Sequence, residues 1–142
     1  MLKRILVPMD DSEHAGRALA FALENNPDAD VTVLHVVGGP SMMMGEATAL
    51  VLEDDISEAA AERAKPVFER AWKRADEQGR EIETAVGIGH PARSILDRAE
   101  NYDAIVMGAH GSDWNRAVHR YLVGNVTETV MKRAPVPVTV VR

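Results

Sequence analysis

Two kinds of apolar pattern alternate along this chain, and the alternation leaves few folds open to it. Short continuous apolar runs, the mark of strands buried on both faces, take turns with stretches whose apolar residues recur at helical spacing. Ile5-Leu6-Val7, within Lys3–Pro8, is the first run. From Ser12, Ala15, Ala18, Leu19, Ala22 and Leu23 fall at i, i+3, i+4, i+7 and i+8. That spacing predicts a one-faced helix, ending near Asn25-Asn26-Pro27, where proline forbids continuation. Asp30–Val37 is a second strand, with Val31, Val33, Leu34, Val36 and Val37, and Gly38-Gly39-Pro40 breaks it. Residues 38–50 are the least regular and carry Met42-Met43-Met44.

A long helix is predicted over 51–78, with Ala60, Ala64, Phe68, Ala71 and Ala75 on one face. Pro66 is expected to kink it or to start its second half, and Gly79 to close it as the C′ residue. Arg80–Gly87 reads as a third strand. Gly89-His90-Pro91 opens a helix with proline at its first position, its buried stripe being Ala92, Ile95, Leu96 and Ala99. Asp103–Gly108 is a fourth strand, a loop with glycines at 108, 111 and 124 leads to a helix over about 126–133, and Pro135–Val141 is the last strand. The order is βαβαβαβαβ without linker, repeat or low-complexity tract. It predicts one α/β domain over 1–142, a five-stranded, doubly wound parallel sheet with helices on both faces.

Burial patterns also rank the strands. The first, second and fourth are continuous apolar runs and belong inside the sheet. The third alternates Ile82, Thr84 and Val86 with Glu81 and Glu83; the fifth alternates Val136, Val138 and Val140 with Pro137 and Thr139. Proline cannot donate to a ladder, so Pro137 points to an edge. Edges at strands three and five give the order 3-2-1-4-5. The rival order 2-1-3-4-5 would bury strand three and expose strand two.

Composition removes whole classes of function. The chain of 142 residues has no cysteine, which excludes a disulfide framework, thiolate metal sites and a cysteine nucleophile. Aromatics supply 4%, so Val, Leu, Ile, Ala and Met must build the core. No apolar run approaches a membrane span, and Met1-Leu2-Lys3-Arg4 passes straight into a strand, unlike a signal peptide; a cytoplasmic protein is expected. Asp and Glu number 22 against 16 Lys and Arg, a net charge of -6 with no basic stripe, so nucleic-acid binding is disfavoured. Lysine occurs only at 3, 65, 73 and 132, a bias that fits either a high-salt cytoplasm or a GC-rich genome.

In the order 3-2-1-4-5 the topological switch falls between strands one and four, and ligands bind outside their carboxyl ends. The loops there are Pro8-Met9-Asp10-Asp11-Ser12 and, after Met107, Gly108-Ala109-His110-Gly111 continuing to Gly124-Asn125. Asn125-Val126-Thr127-Glu128 reads as a capping box at the start of a helix, whose free amides and partial positive charge suit a phosphate. Gly111 and Gly124 let backbone approach an anion closely. The plain alternative is that Gly124-Asn125 only starts a helix.

These same residues carry a family resemblance over nearly the whole chain. Ile5 to Ser12, Gly89-His90-Pro91, Gly108-Ala109-His110-Gly111, Gly124-Asn125-Val126-Thr127-Glu128 and Ala134-Pro135-Val136-Pro137-Val138 resemble a universal stress protein. Many members bind ATP or AMP through Gly-x-x-Gly, nine residues, then Gly-Ser or Gly-Thr. The resemblance implies a Rossmann-like fold of the adenine-nucleotide alpha hydrolase type. It implies a nucleotide site with Asp10 toward the adenine or ribose and Val36 along the base, and with Gly108, Gly111, Gly124, Asn125 and Val126 at ribose and phosphates. Pro8, Met9, Met107, His110 and Thr127 complete the expected site, and Mg²⁺ would accompany a triphosphate. It further implies a homodimer through the last strand, with Val136, Val138 and Val140 at the edge.

Here Ser112–Val123 puts twelve residues between Gly111 and Gly124, and Asn125 stands for the hydroxyl residue. The longer loop brings Asp113 and Trp114, with Arg116 and Arg120 to offset the acid. Asparagine can still cap the helix and meet a phosphate oxygen through its amide. Two readings therefore stand: an adenine-nucleotide binding module of the stress response, and a nucleotide-free member acting through protein partners.

Enzymatic readings lack residues. Paired Asp10 and Asp11 match the acids of a receiver domain in position only, since strand three ends in Val86-Gly87 and only Arg142 follows strand five. Asp11 is read as a solvated charge at a helix start. No pair among His14, His35, His90, His110 and His119 has i, i+4 metal spacing. His35 is read as a satisfied core histidine; His110 either contacts the ligand or holds its loop. There is no Gly-x-Ser-x-Gly elbow, P-loop, or Gly-x-Gly-x-x-Gly after strand one, and the His-x-Gly-His and Ser-Gly-Gly-x-Asp-Ser loops of the fold's adenylyl-transfer relatives are absent. At most, slow incidental ATP hydrolysis is expected. Met42–Met44 is read as gap-filling or a flap over the crevice, with a partner contact as the alternative. Trp72 is read as helix packing, again with a partner contact as the alternative.

Overall fold

The computed structural model describes residues 1–38, 53–109 and 126–142. The five strands are β1 (Arg4–Pro8), β2 (Asp30–Val37), β3 (Glu83–Ile88), β4 (Ala104–Gly108) and β5 (Val138–Val141). The helices are α1 (Glu13–Asn25), α2 (Glu53–Glu77), α3 (Pro91–Ala99) and α4, over 126–133. The sheet order is β3-β2-β1-β4-β5 and every pairing is parallel. The expected order 3-2-1-4-5 is thus the observed one, for the reason anticipated. Ile5, Leu6, Val7, Val31, Val33, Leu34, Ile105 and Val106 are at most 3% exposed, because helices cover both faces of the interior strands.

Each face has its own apolar cluster. Ile5, Val7, Val31, Val33 and Val106 pack under α1 and α2, against Leu19, Leu23, Phe68 and Ala71. Leu6, Leu34, Ile105 and Met107 pack on the opposite face against Ile95 and Ala99 of α3 and Val130 of α4. The period-two alternation along each strand divides its side chains between these clusters. Val136, Val138 and Val140 turn inward, partly buried against the second cluster.

Local chemistry sets several ends as expected. Ser12 caps α1, its Oγ accepting from the Ala15 amide at 3.1 Å. Gly79, at φ 65°, closes α2, where the Arg80 amide donates to Ala75 O at 2.9 Å and the Gly79 amide to Asp76 O at 3.0 Å. That pair of bonds is a Schellman cap. His90 is the N-cap of α3 and Pro91 its first residue.

Other ends differ. β3 starts at Glu83, not at 80, because Arg80 belongs to the turn leaving α2: its guanidinium donates to Leu23 O at 2.7 Å and to Ala29 O at 2.8 Å. β5 starts at Val138; Pro137 precedes it and contributes only its carbonyl, to the Ile105 amide. Asp103 lies before β4, its carboxylate accepting from the Lys3 and Arg4 amides at 2.8 and 3.0 Å. Those two bonds hold the Asp103 carboxyl below the usual range. In α3 the buried stripe is Ala92, Ile95 and Ala99, with Leu96 on its half-buried flank. α2 passes through Pro66 as one helix. The expectations for Met42–Met44 and the 38–50 loop, apart from Gly38, lie outside the described residues. None of the helices among the described residues is long and apolar enough to cross a membrane.

Candidate functional site

β1 pairs with β2 on one side and β4 on the other, and the connections leave toward opposite faces of the sheet. A crevice therefore opens beyond the carboxyl ends of β1 and β4. A cleft lies there. Leu34, Val36, Ile95, Met107 and Val126 supply apolar wall, Asp10, Ser12, His35 and Thr127 supply polar groups, and Pro8, Met9, Ala15, Pro91 and Gly108 complete the lining. No lysine or arginine is among these lining residues. Among the described residues, backbone amides, the Ser12 and Thr127 hydroxyls and the helix starts are what this place offers an anion.

The β1–α1 loop is held by successive hydrogen bonds. The Met9 amide donates to Leu34 O at 2.8 Å, which extends the β1–β2 ladder past Pro8. His35 Nδ1 lies 2.7 Å from Met9 O. A carbonyl only accepts, so Nδ1 carries a proton and donates it to Met9 O. The Ser12 amide donates to Asp10 Oδ1 at 2.8 Å, an Asx turn that orients the carboxylate. His35 is thus satisfied, as expected, but it is only half-buried and lines the cleft rather than the core.

Asp11 is exposed beside the start of α1, in line with its reading as a solvated charge, and it also pairs with Arg70 of α2, both side chains more than half exposed. An exposed pair of this kind contributes little to stability.

Gly108 has a packing reason to be glycine. A Cβ there would meet the His14 carbonyl carbon at 2.8 Å and the Ala15 amide nitrogen at 2.9 Å, so its absence lets the first turn of α1 rest on the end of β4. The Thr127 hydroxyl donates to Gly108 O at 3.2 Å and ties the start of α4 to the same point. The expected capping box would have Glu128 meet Asn125, which lies outside the described residues; within them Glu128 has a different partner. The Glu128 carboxylate engages Lys132 one turn on, at 2.8 Å, and that bond holds its carboxyl below the usual range.

Of the expected nucleotide site, Pro8, Met9, Asp10, Val36, Met107, Gly108, Val126 and Thr127 meet in this one cleft. His110, Gly111, Gly124 and Asn125 lie outside the described residues, as do His119 and residues 112–123. Ser12, Ala15, Leu34, His35, Pro91 and Ile95 also line the cleft and are not among the residues expected there. Two carry a signal: His35 interrupts an otherwise apolar strand near its carboxyl end, and Pro91 starts the helix beyond the carboxyl end of β3. Among the described residues no group of three metal-ligating side chains occurs.

Comparison with known proteins agrees with this arrangement. The family model described as the universal stress protein family matches residues 1–142. A universal stress protein of Methanocaldococcus jannaschii is 30% identical, over 100% of this chain and 96% of its own length. The solved structure of that archaeal protein superposes with a TM-score of 0.76 at 31% identity, covering 98% of this chain and 94% of the other. A universal stress protein of Archaeoglobus fulgidus, solved in complex with dAMP, gives a TM-score of 0.62 at 25% identity, covering 99% of this chain and 98% of the other.

Proposed function

The chain belongs to the universal stress protein family, and from that membership we propose that it binds an adenine nucleotide, ATP or AMP, as a non-catalytic module of the stress response. The observation that carries this reading is the convergence of Pro8, Asp10, Val36, Met107, Gly108 and Val126 on one cleft at the switch point. Leu34, Val36, Ile95 and Met107 offer an adenine ring an apolar slot. Asp10, oriented by the Ser12 amide, accepts from ribose hydroxyls. The start of α4, with Gly111, Gly124 and Asn125 before it, meets the phosphates through backbone amides, and Mg²⁺ would accompany a triphosphate. The Archaeoglobus relative with dAMP supports an adenine base and a phosphate as the ligand class. Among the described cleft residues no nucleophile is hydrogen-bonded to a base, which supports reading any ATP hydrolysis as slow and incidental.

The setting we infer is a single cytoplasmic domain that dimerises through β5. The carbonyls of Pro137 and Val141 face β4, accepting from the Ile105 and Ala109 amides. Backbone direction alternates along a strand, so the backbone groups of Val138 and Val140 face away from β4, toward a second copy.

A second reading, a nucleotide-free member working through protein partners, is favoured by the twelve residues between Gly111 and Gly124 and by Asn125. One experiment separates the two. The purified protein is denatured and its supernatant assayed for adenine nucleotide; the refolded chain is then titrated with AMP and with ATP plus Mg²⁺. Nucleotide in the supernatant or saturable binding is expected, and Gly124→Val should abolish it while leaving the circular dichroism unchanged. No carried nucleotide and no binding at about millimolar ATP, a free energy near 4 kcal/mol, would select the second reading.

A further inference from the structure

Gly87 occupies a strand position that its backbone does not explain. Among the described residues only Gly79 and Gly89 have positive φ, so any residue could adopt the conformation of Gly87. Glycine within a strand is otherwise a cost, through entropy and lost packing. The reason lies in its neighbours. A Cβ on Gly87 would stand 3.2 Å from Val36 Cγ2 and 3.3 Å from both Cβ and Oγ of Ser94, tighter than ordinary contact. Val36 is its partner in the β2–β3 register and lines the cleft. Ser94 sits on α3, the helix that brings Pro91 and Ile95 to the same cleft. Gly87 itself does not line it.

The next rung prevents the strands from parting to admit a methyl group. The Gly89 amide donates to Val37 O at 3.0 Å, and a Cβ on Gly38 would come within 2.5 Å of Gly89 O, so backbone meets backbone there. A side chain at 87 must displace Val36 or α3, and both are walls of the cleft.

We propose that Gly87 is a positioning residue that sets the width of the apolar end of the cleft, and thereby its choice of purine over pyrimidine base. The inference rests on the adenine-nucleotide reading. Its missing methyl lets Val36 and Ser94 of α3 both approach β3 closely, and so sets how far apart these two walls stand.

Calorimetric titration of wild-type protein and Gly87→Ala with AMP and CMP tests it. Overpacking by one methyl is expected to weaken AMP binding about tenfold and CMP binding about threefold or less, so the AMP-to-CMP preference falls. Adding Val36→Ala to Gly87→Ala removes the contact with Val36 and leaves the one with Ser94, so it should recover part of the lost AMP-to-CMP preference. A merely structural role would weaken both nucleotides equally, and an unchanged preference overturns the inference while leaving the nucleotide reading intact. Should Gly87→Ala fail to fold, the double variant is compared with Val36→Ala alone: the added methyl should tighten AMP binding, and equal or weaker binding overturns the inference. A wild-type chain that binds neither nucleotide overturns both.

Discussion

At the scale of single residues, what can be read from sequence is what acts within a few positions. Ser12 capping α1, Gly79 in the left-handed region after α2 and Pro91 at the first position of α3 each act on backbone one turn away. Arg80 is illegible for the opposite reason. Its partners, Leu23 O and Ala29 O, lie 57 and 51 residues earlier, and a charged residue before an apolar run looks like the start of a strand. Arg80 joins the end of α1 to the turn that enters β2. Arg80→Ala leaves both carbonyls without this charged donor and should lower the unfolding free energy by about 1.5–3 kcal/mol, measured by urea denaturation. Arg80→Lys, with one donor group where a fork is needed, should fall between.

At the scale of elements, periodicity is the strong signal, and local breakers are weaker than packing. Pro66 is expected to kink the long helix or to start its second half; α2 runs from Glu53 to Glu77 as one helix, so no second helix starts there. Pro66 itself is exposed, whereas Ala60, Ala64, Phe68, Ala71 and Ala75 are buried in one continuous stripe on the sheet. Burial of that stripe holds the two halves in a single phase despite the missing hydrogen bond. Pro66→Ala restores a donor at an exposed site and should stabilise the protein by about 1–2 kcal/mol in thermal unfolding. A loss of stability would mean that α2 needs the proline to curve onto the sheet. Trp72 belongs to the same helix: its ring lies 6.0 Å from that of buried Phe68, with 43% of the residue exposed. That contact agrees with its reading as helix packing.

For the whole molecule, the distinction between continuous and alternating strands is enough to order the sheet. Interior strands are covered twice and must be apolar on both faces, whereas edge strands are partly open to water. The same logic bears on assembly. Val136, Val138 and Val140 turn their side chains onto the molecule's own core, so a dimer through β5 would be made by the outward backbone groups of Val138 and Val140. Val140→Pro removes one outward donor without touching the ladder to β4. Sedimentation velocity should show a dimer for the wild type and a monomer for Val140→Pro, with matching circular dichroism. A dimer that survives the substitution would place the interface elsewhere.

Taken alone, the sequence determined the alternation of elements, the order of the strands, the crevice at the switch point and the family. All of these follow from spacing along the chain, because period and local chemistry decide which face of an element is apolar and where it stops. Spacing does not say what that face will meet. That His35 anchors Met9, that Pro91 and Ile95 share a cleft with Asp10, that Gly108 yields its Cβ to the backbone of α1 and Gly87 to Val36 and Ser94, only the tertiary structure decided. Each depends on a close approach between different elements, and packing density, not periodicity, sets such approaches.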